Sequence, residues 1–291
     1  MKETDILRRF IFENIPVRGV IVHMDAAWRA VRERSDYPVV VENTLGQFAT
    51  ASVLLSSTLK FDGSMTLQIQ GDGPIGLMVA EATAARTVRA VARWKGEVAD
   101  DPGLQALFGN GNLVITIDLA NEERYQGIVA LEGENVASVV EGYLQQSEQL
   151  DTRLWLAIDG EQATGMLLQK LPGEEADDTD AWNRISQLAA TIKDDELKGL
   201  SAEEILHRLF HEDDLRLFDA EPVSFRCSCS RERVGNMLLS LGADEVHSII
   251  EDEGKIDVNC QFCNQLYSFD AVDAEEVLAA NISPDVPNTR H

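Results

Sequence analysis

The sequence predicts an α+β protein in three parts: an N-terminal α+β domain with a mostly antiparallel sheet (1–172), an acidic helical linker (173–220) and a small C-terminal domain (221–291). Three observations carry that expectation. Strand-like segments follow one another through the first half with turn residues between them, the pattern of an antiparallel α+β domain. Composition shifts near Pro172, where residues 171–226 hold fifteen acidic and six basic side chains, a local net charge of −9. All four cysteines of the 291 residues fall in the last seventy or so.

In the first part, Arg18 to Met24 is apolar and β-branched, and Asp25 is placed to cap a helix with Trp28 and Val31 on one face. Val39 to Lys60 is a long helical pattern with Leu45, Phe48, Ser52, Leu55 and Leu59 along one stripe. Its small residues Ala49, Ala51, Ser52, Ser56 and Ser57 allow close packing on a sheet. Strands are expected at 65–70, 75–82, 87–92, 113–119 and 125–131, a helix at 135–146, and a final strand pair at 153–158 and 164–170. Gly71-Asp72-Gly73-Pro74-Ile75-Gly76 fits GxGxxG, but that motif needs a following helix to receive a pyrophosphate. Here Pro74 sits in the loop, Asp72 faces the phosphate position and strand-like Leu77-Met78-Val79 follows, so a hairpin turn is expected. There is no GxxxxGK[ST] for ATP.

In the acidic part, Trp182, Ile185, Leu188 and Ile192 recur at helical spacing. A second helix starts at Ser201, with Glu204 completing a capping box, Leu200 and Ile205 forming a staple, and Ile205, Leu206, Leu209 and Phe210 as a narrow apolar face. Such helices depend on a surface to pack against. A conditionally folded linker and an ordinary pair of acidic surface helices are equally open on pattern alone. His207 and His211, four apart, have no evident third ligand, and His23, His247 and His291 have no evident partners.

In the last part, Cys227-Ser228-Cys229 is answered by Cys260-Gln261-Phe262-Cys263, a CxC and a CxxC. Four thiolates are the donor set of a closed tetrahedral Zn²⁺ site, and one turn of backbone supplies each pair. A disulfide framework competes, but the chain is long and its charged start, Met1-Lys2-Glu3-Thr4-Asp5, leads into no apolar segment of signal-peptide type. One Zn²⁺ per chain through Cys227, Cys229, Cys260 and Cys263 is the expectation. Thiolates can be oxidised and the metal lost. Spacing alone favours a permanent structural site over an oxidisable one. Around the cysteines, Ser230 caps a helix with Val234, Met237, Leu238 and Leu241 on one face, stopped by Gly242; a second carries Val246, Ile249 and Ile250 and ends at Gly254. A hairpin from Ile256 to Phe269 holds the CxxC in its turn, Asp273 with Glu276 opens a last helix, and the tail from Asn281 is expected to be loose. So thin a core leaves the metal to supply most of the stability.

A net charge of −25 argues against nucleic acid or an anionic membrane as partner. No run is long enough to cross a bilayer, and free cysteines fit a reducing, cytoplasmic setting. No Ser/His/Asp or Cys/His arrangement marks an enzyme.

Several stretches together resemble the thirty-three-kilodalton heat-shock protein family, the redox-regulated holdase chaperones. They are Leu59-Lys60-Phe61-Asp62-Gly63, Leu67-Gln68-Ile69-Gln70-Gly71-Asp72-Gly73-Pro74, Tyr125-Gln126-Gly127-Ile128-Val129, Tyr143-Leu144-Gln145-Gln146-Ser147-Glu148-Gln149-Leu150, Leu167-Leu168-Gln169-Lys170-Leu171-Pro172 and the cysteine quartet. The likeness spans nearly the whole chain. It implies an ATP-independent chaperone that binds unfolding client proteins, is off when reduced and zinc-bound and on when oxidised, with an active form associated with homodimers. Structural zinc contributes about 10–16 kcal/mol of apparent folding free energy, against about 5–15 kcal/mol for a whole domain. If oxidation pairs neighbours, Cys227 with Cys229 and Cys260 with Cys263, each redox-active disulfide closes a tiny loop and restrains almost nothing. The long-range tie is then lost, the small domain unfolds, and the linker loses its support. A thiol–disulfide oxidoreductase would instead place CxxC at a helix N-terminus, and a zinc-ribbon regulator of nucleic acid would need a basic face.

Overall fold

Period-two apolar alternation, interrupted by Gly, Asp and Asn turns, puts most of the first half of the chain into strands. A computed structural model describes residues 4–59, 62–98, 103–119, 123–172 and 180–280. Lys60, Phe61, the start of the acidic segment and the tail expected to be loose, with His291, lie outside the described residues. Backbone contacts divide the chain into two units, one up to Arg226 and one from Cys227.

The first unit runs β1 (Ile6–Phe12), β2 (Val17–Met24), α1 (Ala26–Arg32), α2 (Val39–Thr58), β3 (Gly63–Gln70), β4 (Ile75–Thr83), β5 (Thr87–Trp94), α3 (Leu104–Phe108), β6 (Asn112–Leu119), β7 (Tyr125–Ala130), α4 (Val136–Ser147), β8 (Thr152–Ile158) and β9 (Ala163–Lys170). It continues through α5 (Ala181–Ala189), α6 (Asp194–Gly199), α7 (Ala202–Phe210), β10 (Leu215–Leu217), β11 (Glu221–Pro222) and β12 (Ser224–Phe225). One sheet has the order β10-β1-β2-β9-β8, with β11 also on β1; the other has the order β12-β5-β4-β3-β6-β7. All pairs are antiparallel except β12 with β5. The fold is therefore α+β with antiparallel-rich sheets.

Helix α2 packs against β2, β8 and β9 of the first sheet and β3, β4 and β5 of the second. The sequence pattern gives it one apolar stripe, but it is buried from Val41 to Ser57 on nearly every side. A helix between two sheets has no solvent face, so an all-round apolar composition replaces the stripe. Its buried hydroxyls are satisfied internally: Thr44, Thr50, Ser52, Ser56, Ser57 and Thr58 donate to carbonyls three or four residues back at 2.6–3.0 Å. Close approach also needs Gly165, where a Cβ would stand 2.6 Å from Thr50 Cγ2.

Strict alternation gives the first sheet two buried faces. Leu7, Val20, Val22, Leu154 and Leu167 turn toward α2 and the main core. Phe10, Phe12, Ile21, Met166 and Leu168 turn the other way, and helices α5 to α7 cover them with Ile185, Leu197, Ile205, Leu209 and Phe210. The α7 cap forms as its sequence predicts: Ser201 Oγ accepts from the Glu204 N–H at 3.3 Å, and Glu204 accepts from the Ser201 N–H at 2.8 Å.

Two local expectations are corrected and a third holds. Leu188 is 37% exposed, and α5 instead buries Ala181, Ile185 and Ala189, whose small flanking residues let the helix settle closely. Asp25 occupies the first cap position but its carboxylate pairs with Arg29 at 2.6 Å. The N–H groups of Asp25, Ala26 and Ala27 donate to Asp5, at 3.1, 3.0 and 2.8 Å. Asp5 holds this position in a left-handed backbone, φ 53°, a conformation that Asp tolerates better than most residues. The 71–76 motif is a β3–β4 turn, as expected, and Asp72 accepts from Asn110 N and Nδ2 at 2.8 and 3.2 Å.

The second unit comprises α8 (Arg231–Leu241), α9 (Ala243–Glu253), β13 (Ile256–Asn259), β14 (Leu266–Phe269) and α10 (Ala271–Ala280). Its core is Val234, Leu238, Val246, Ile256, Phe269 and Ala274. Met237 and Leu241, expected on the inner face of α8, are 43% and 50% exposed, because Val234, Gly235 and Leu238 are the face that meets the core. The last helix starts one turn earlier than predicted: Asp270 and Asp273, not Asp273 and Glu276, form the reciprocal cap, at 2.9 and 3.1 Å.

Candidate metal centre

Two loops meet in the second unit. Cys227 and Cys229 lie in the irregular stretch between β12 and α8. In an extended chain alternate side chains share one side, so a single spacer brings both sulfurs to the same face. Ser230 fixes where that stretch ends, its Oγ accepting from the Arg233 N–H at 3.1 Å as the cap of α8. Arg233 Nη1 reaches back to Ser228 O and Oγ at 3.0 and 2.8 Å and holds the CxC loop on its helix.

Cys260 and Cys263 flank the turn of the β13–β14 hairpin. The Cys260 N–H donates to Gln265 O at 2.9 Å and the Asn264 N–H to Cys260 O at 2.8 Å, with Asn264 in the left-handed region at φ 56°.

The four sulfurs lie within 4.8 Å of one another. Cys227 Sγ is 3.6 Å from Cys260 Sγ, and Cys229 Sγ is 3.4 Å from Cys263 Sγ. A tetrahedron with arms of about 2.3 Å has edges of about 3.8 Å. The donor set and its spacing thus fit a divalent soft metal ion. Among the described residues this is the one group of three or more potential ligands. His207 and His211, with ring centroids 6.0 Å apart on an exposed face, gain no third donor among the described residues. His247 pairs with Glu275 at 2.8 Å, and His23 is buried in β2.

The surroundings favour thiolate at one corner first. Burial pushes the Cys260 thiol up, but N–H groups of Cys263 and Phe262 donate to its sulfur, and with the neighbouring thiols they bring it down to about 7. Burial pushes Cys263 up to about 12; the N–H of Gln265 opposes this, and hydrogen bonding with the neighbouring cysteines adds to it. Close thiolates repel one another, a penalty that a cation among them removes. Tyr267 Oη adds a donor to Cys229 Sγ at 3.1 Å. Both this tyrosine and Arg233 escaped the sequence reading, which examined the cysteines and not their hydrogen-bonding neighbours. All four cysteines are partly exposed, so small oxidants have access to them.

Across the chain, the Hsp33 protein family matches residues 5–270. A 33 kDa chaperonin of Nitrosococcus oceani is 47% identical over 291 residues, covering all of both chains. One of Methylobacillus flagellatus is 47% identical over 294 residues, again covering both. The crystal structure of the 33 kDa chaperonin from Thermotoga maritima shares the fold, with a TM-score of 0.84 over 96% of this chain and 100% of that one, at 23% identity. A match that contains both sheets, the docked helices and all four cysteines leaves one assignment: the chain belongs to the Hsp33 family.

Proposed function

We propose that this chain is a redox-regulated, ATP-independent holdase, built as a client-binding domain (1–172), a releasable linker (173–220) and a metal-dependent switch domain (221–291). Family membership supports the chaperone role, with unfolding proteins as partners. The observation that carries the finer reading is the cysteine cluster, four donors from two loops in a unit whose core has six side chains.

Cys227, Cys229, Cys260 and Cys263 hold one Zn²⁺ in the reduced form. Bound there, the ion supplies cross-linking free energy and keeps the thiols deprotonated. Peroxide oxidation of a thiol pair forms one S–S bond, passing two electrons and two protons to the oxidant, which leaves as two waters. With both pairs oxidised no thiolate donor remains. Proximity does not favour pairing of neighbours, because close S–S approaches, at 3.6 and 3.4 Å, join the two loops. We favour Cys227–Cys229 and Cys260–Cys263, because neighbours stay close once the unit loosens while partners about thirty residues apart separate.

The linker and the short strand that follows it are held by one apolar face and by rim charges. Glu203 pairs with Arg8 at 2.8 Å, Lys198 with Asp159 at 2.9 Å, and Glu221 with Arg9 and Arg86 at 2.7 and 3.0 Å. The pairs that reach solvent contribute about 0–1 kcal/mol each, so apolar contact dominates. Cys227 directly follows Arg226, whose N–H donates to Val88 O at 3.2 Å, and β11 and β12 are two residues each. Fraying from that end would uncover Phe10, Phe12, Ile21, Met166 and Leu168 as a client-binding face. The protein acts in the cytoplasm, as a homodimer when active, and catalyses no reaction. Among the described residues no helix is long and apolar enough to cross a membrane.

Light scattering from a heat-unfolding client tests this, with reduced zinc-loaded and peroxide-treated protein side by side. Suppression by the oxidised form alone is expected; equal suppression by both forms removes the switch. An insulin-reduction assay tests the oxidoreductase alternative and filter binding to nucleic acid at low salt tests the zinc-ribbon regulator; both should be negative.

A further inference from the structure

The hairpin that carries Cys260 and Cys263 also reaches the other cysteine pair by a contact that needs no metal. Alternate residues of β13 and β14 face the core of the second unit: Ile256 pairs with Phe269, and both are buried. Two positions along, on the same face and nearer the turn, Val258 pairs with Tyr267. Tyr267 is half-buried against that core, and its Oη donates to Cys229 Sγ at 3.1 Å, from one cysteine loop to the other. Its place is fixed from both sides. Arg231, at the start of α8, donates from Nη1 to Ser268 O at 2.7 Å, pairs with Asp273 at 2.7 Å and lies 4.2 Å over the Phe269 ring. Arg233 holds the CxC loop through Ser228.

Donors to the sulfurs differ in kind. Cys260 accepts from the N–H groups of Phe262 and Cys263, and Cys263 from the N–H of Gln265, all of them backbone groups of the turn. Cys229 accepts from a side-chain hydroxyl, which a substitution can remove. Partners of this kind orient metal ligands and tune them. A thiolate that accepts a hydrogen bond shares its lone-pair density and becomes a poorer nucleophile. The hydroxyl also occupies one approach to a sulfur whose residue is only partly exposed.

We infer that Tyr267 is a positioning residue that sets the reactivity of the CxC pair: its hydroxyl damps attack by the Cys229 thiolate on an oxidant, and so sets the dose at which that loop lets go. The inference rests on the metal-switch reading and names a regulator of that same site. In the step concerned, the Cys229 sulfur forms an S–O bond with peroxide as the O–O bond breaks. Hydroxide leaves with the electron pair and takes a proton from solvent to become water. The Cys227 thiolate then displaces hydroxide from the oxidised sulfur, which closes the S–S bond. Loss of one hydrogen bond to a charged acceptor, felt at about half strength in nucleophilicity, corresponds to about three- to tenfold in rate.

The test is Tyr267→Phe in the full-length, reduced, zinc-loaded protein, since a Phe ring keeps the packing and removes only the hydroxyl. Peroxide should release zinc to a chromogenic chelator about three- to tenfold faster than from the unmodified chain. Alkylation by iodoacetamide, read by mass mapping, should rise by the same factor at Cys229 and stay unchanged at Cys260. With Co²⁺ in place of zinc, the thiolate-to-metal charge-transfer band should move to lower energy in Tyr267→Phe; a ring that only packs would leave it in place. Leu266→Ala, at the exposed neighbouring position, should match the unmodified chain in all three measurements. Equal release rates or an unmoved band overturn the inference. Slower release overturns it too, and makes Tyr267 a proton donor to the departing hydroxide. Equal acceleration at Cys260 overturns it as a general loosening of the unit. Client light scattering with the unmodified chain judges the chaperone reading separately, because faster release from Tyr267→Phe stands whether or not clients are protected.

Discussion

Phe210 gives the most direct test of whether docking of the acidic helices controls activity. Its ring is 1% exposed and meets Phe12 edge-on at 5.2 Å, within the face that also holds Phe10 and Met166. Truncating such a buried aromatic to Ala costs about 3–5 kcal/mol, and every 1.4 kcal/mol is tenfold, so the undocked population rises from about a hundredfold to a few thousandfold. If docking is worth about 5 kcal/mol, the low end for a whole domain, a loss of about 4 kcal/mol moves the open form from about one chain in five thousand to about one in six. The main core on the other face of the first sheet contains neither Phe12 nor Phe210, so the sheets should stay folded. Hydrogen exchange should rise across 180–217 in reduced Phe210→Ala while β2 to β9 remain protected, and client light scattering should show activity without oxidant. Leu188→Ala, on the exposed side of α5, should do neither. If Phe210→Ala reaches the exchange level of the oxidised protein and stays inactive when reduced, linker release is not the switch.

Reduced protein should carry one Zn²⁺ per chain by elemental analysis, and Cys260→Ser should weaken metal affinity by orders of magnitude because three donors cannot close the site. Peptide mapping after peroxide should find disulfides within 227/229 and within 260/263; dominant 227–260 and 229–263 bridges would preserve the long-range tie and refute unlocking. Acid should loosen the linker. Burial pushes the Asp159 carboxyl up, but Lys198 and the N–H groups of Glu161 and Gln162 more than offset it and hold it below the usual range. A depressed carboxylate stabilises the fold above its unfolded pKa, and that contribution disappears as pH falls below about 4. Trp155 and Trp182, packed against the face beneath the linker, should report this by fluorescence, and Lys198→Gln should flatten the dependence. Asp5→Ala should lower thermal stability by about 1–2 kcal/mol, since it removes the acceptor for three helix N–H groups.

The cysteine quartet and the hairpin around its second pair were legible because ligand chemistry and turn geometry are both local. The central strands were legible for a similar reason, alternation bounded by turns. Strand β1 was not read: Arg8 and Arg9 interrupt Ile-Leu-Arg-Arg-Phe-Ile-Phe, and both its faces are covered, so it shows no clean period of two. Its outer edge is closed by β10 and β11, two hundred residues later. Helix α6 buries one residue, Leu197, too few for periodicity to register. For α5 and α8 the helical period was right and the phase was not. Phase depends on which flank meets the partner surface, and at α5 the small Ala181 and Ala189 decide that against the larger Leu188. Asp5 caps a helix twenty residues away, beyond any local signature.

The two-faced first sheet bears on how the protein is made. All four of its long strands have been synthesised once Lys170 emerges, but Phe210, the last large side chain of its outer cover, follows about forty residues later. At about 5–20 residues per second, that interval is roughly 2–8 s. Throughout it Phe10, Phe12, Ile21, Met166 and Leu168 stand uncovered on a nascent chain. A sheet able to stay folded through that interval, supported only from the α2 side, has already met the requirement that the proposed undocking would impose on it. Tolerance of a bare apolar face is thus a condition of biosynthesis, whatever activates the folded protein.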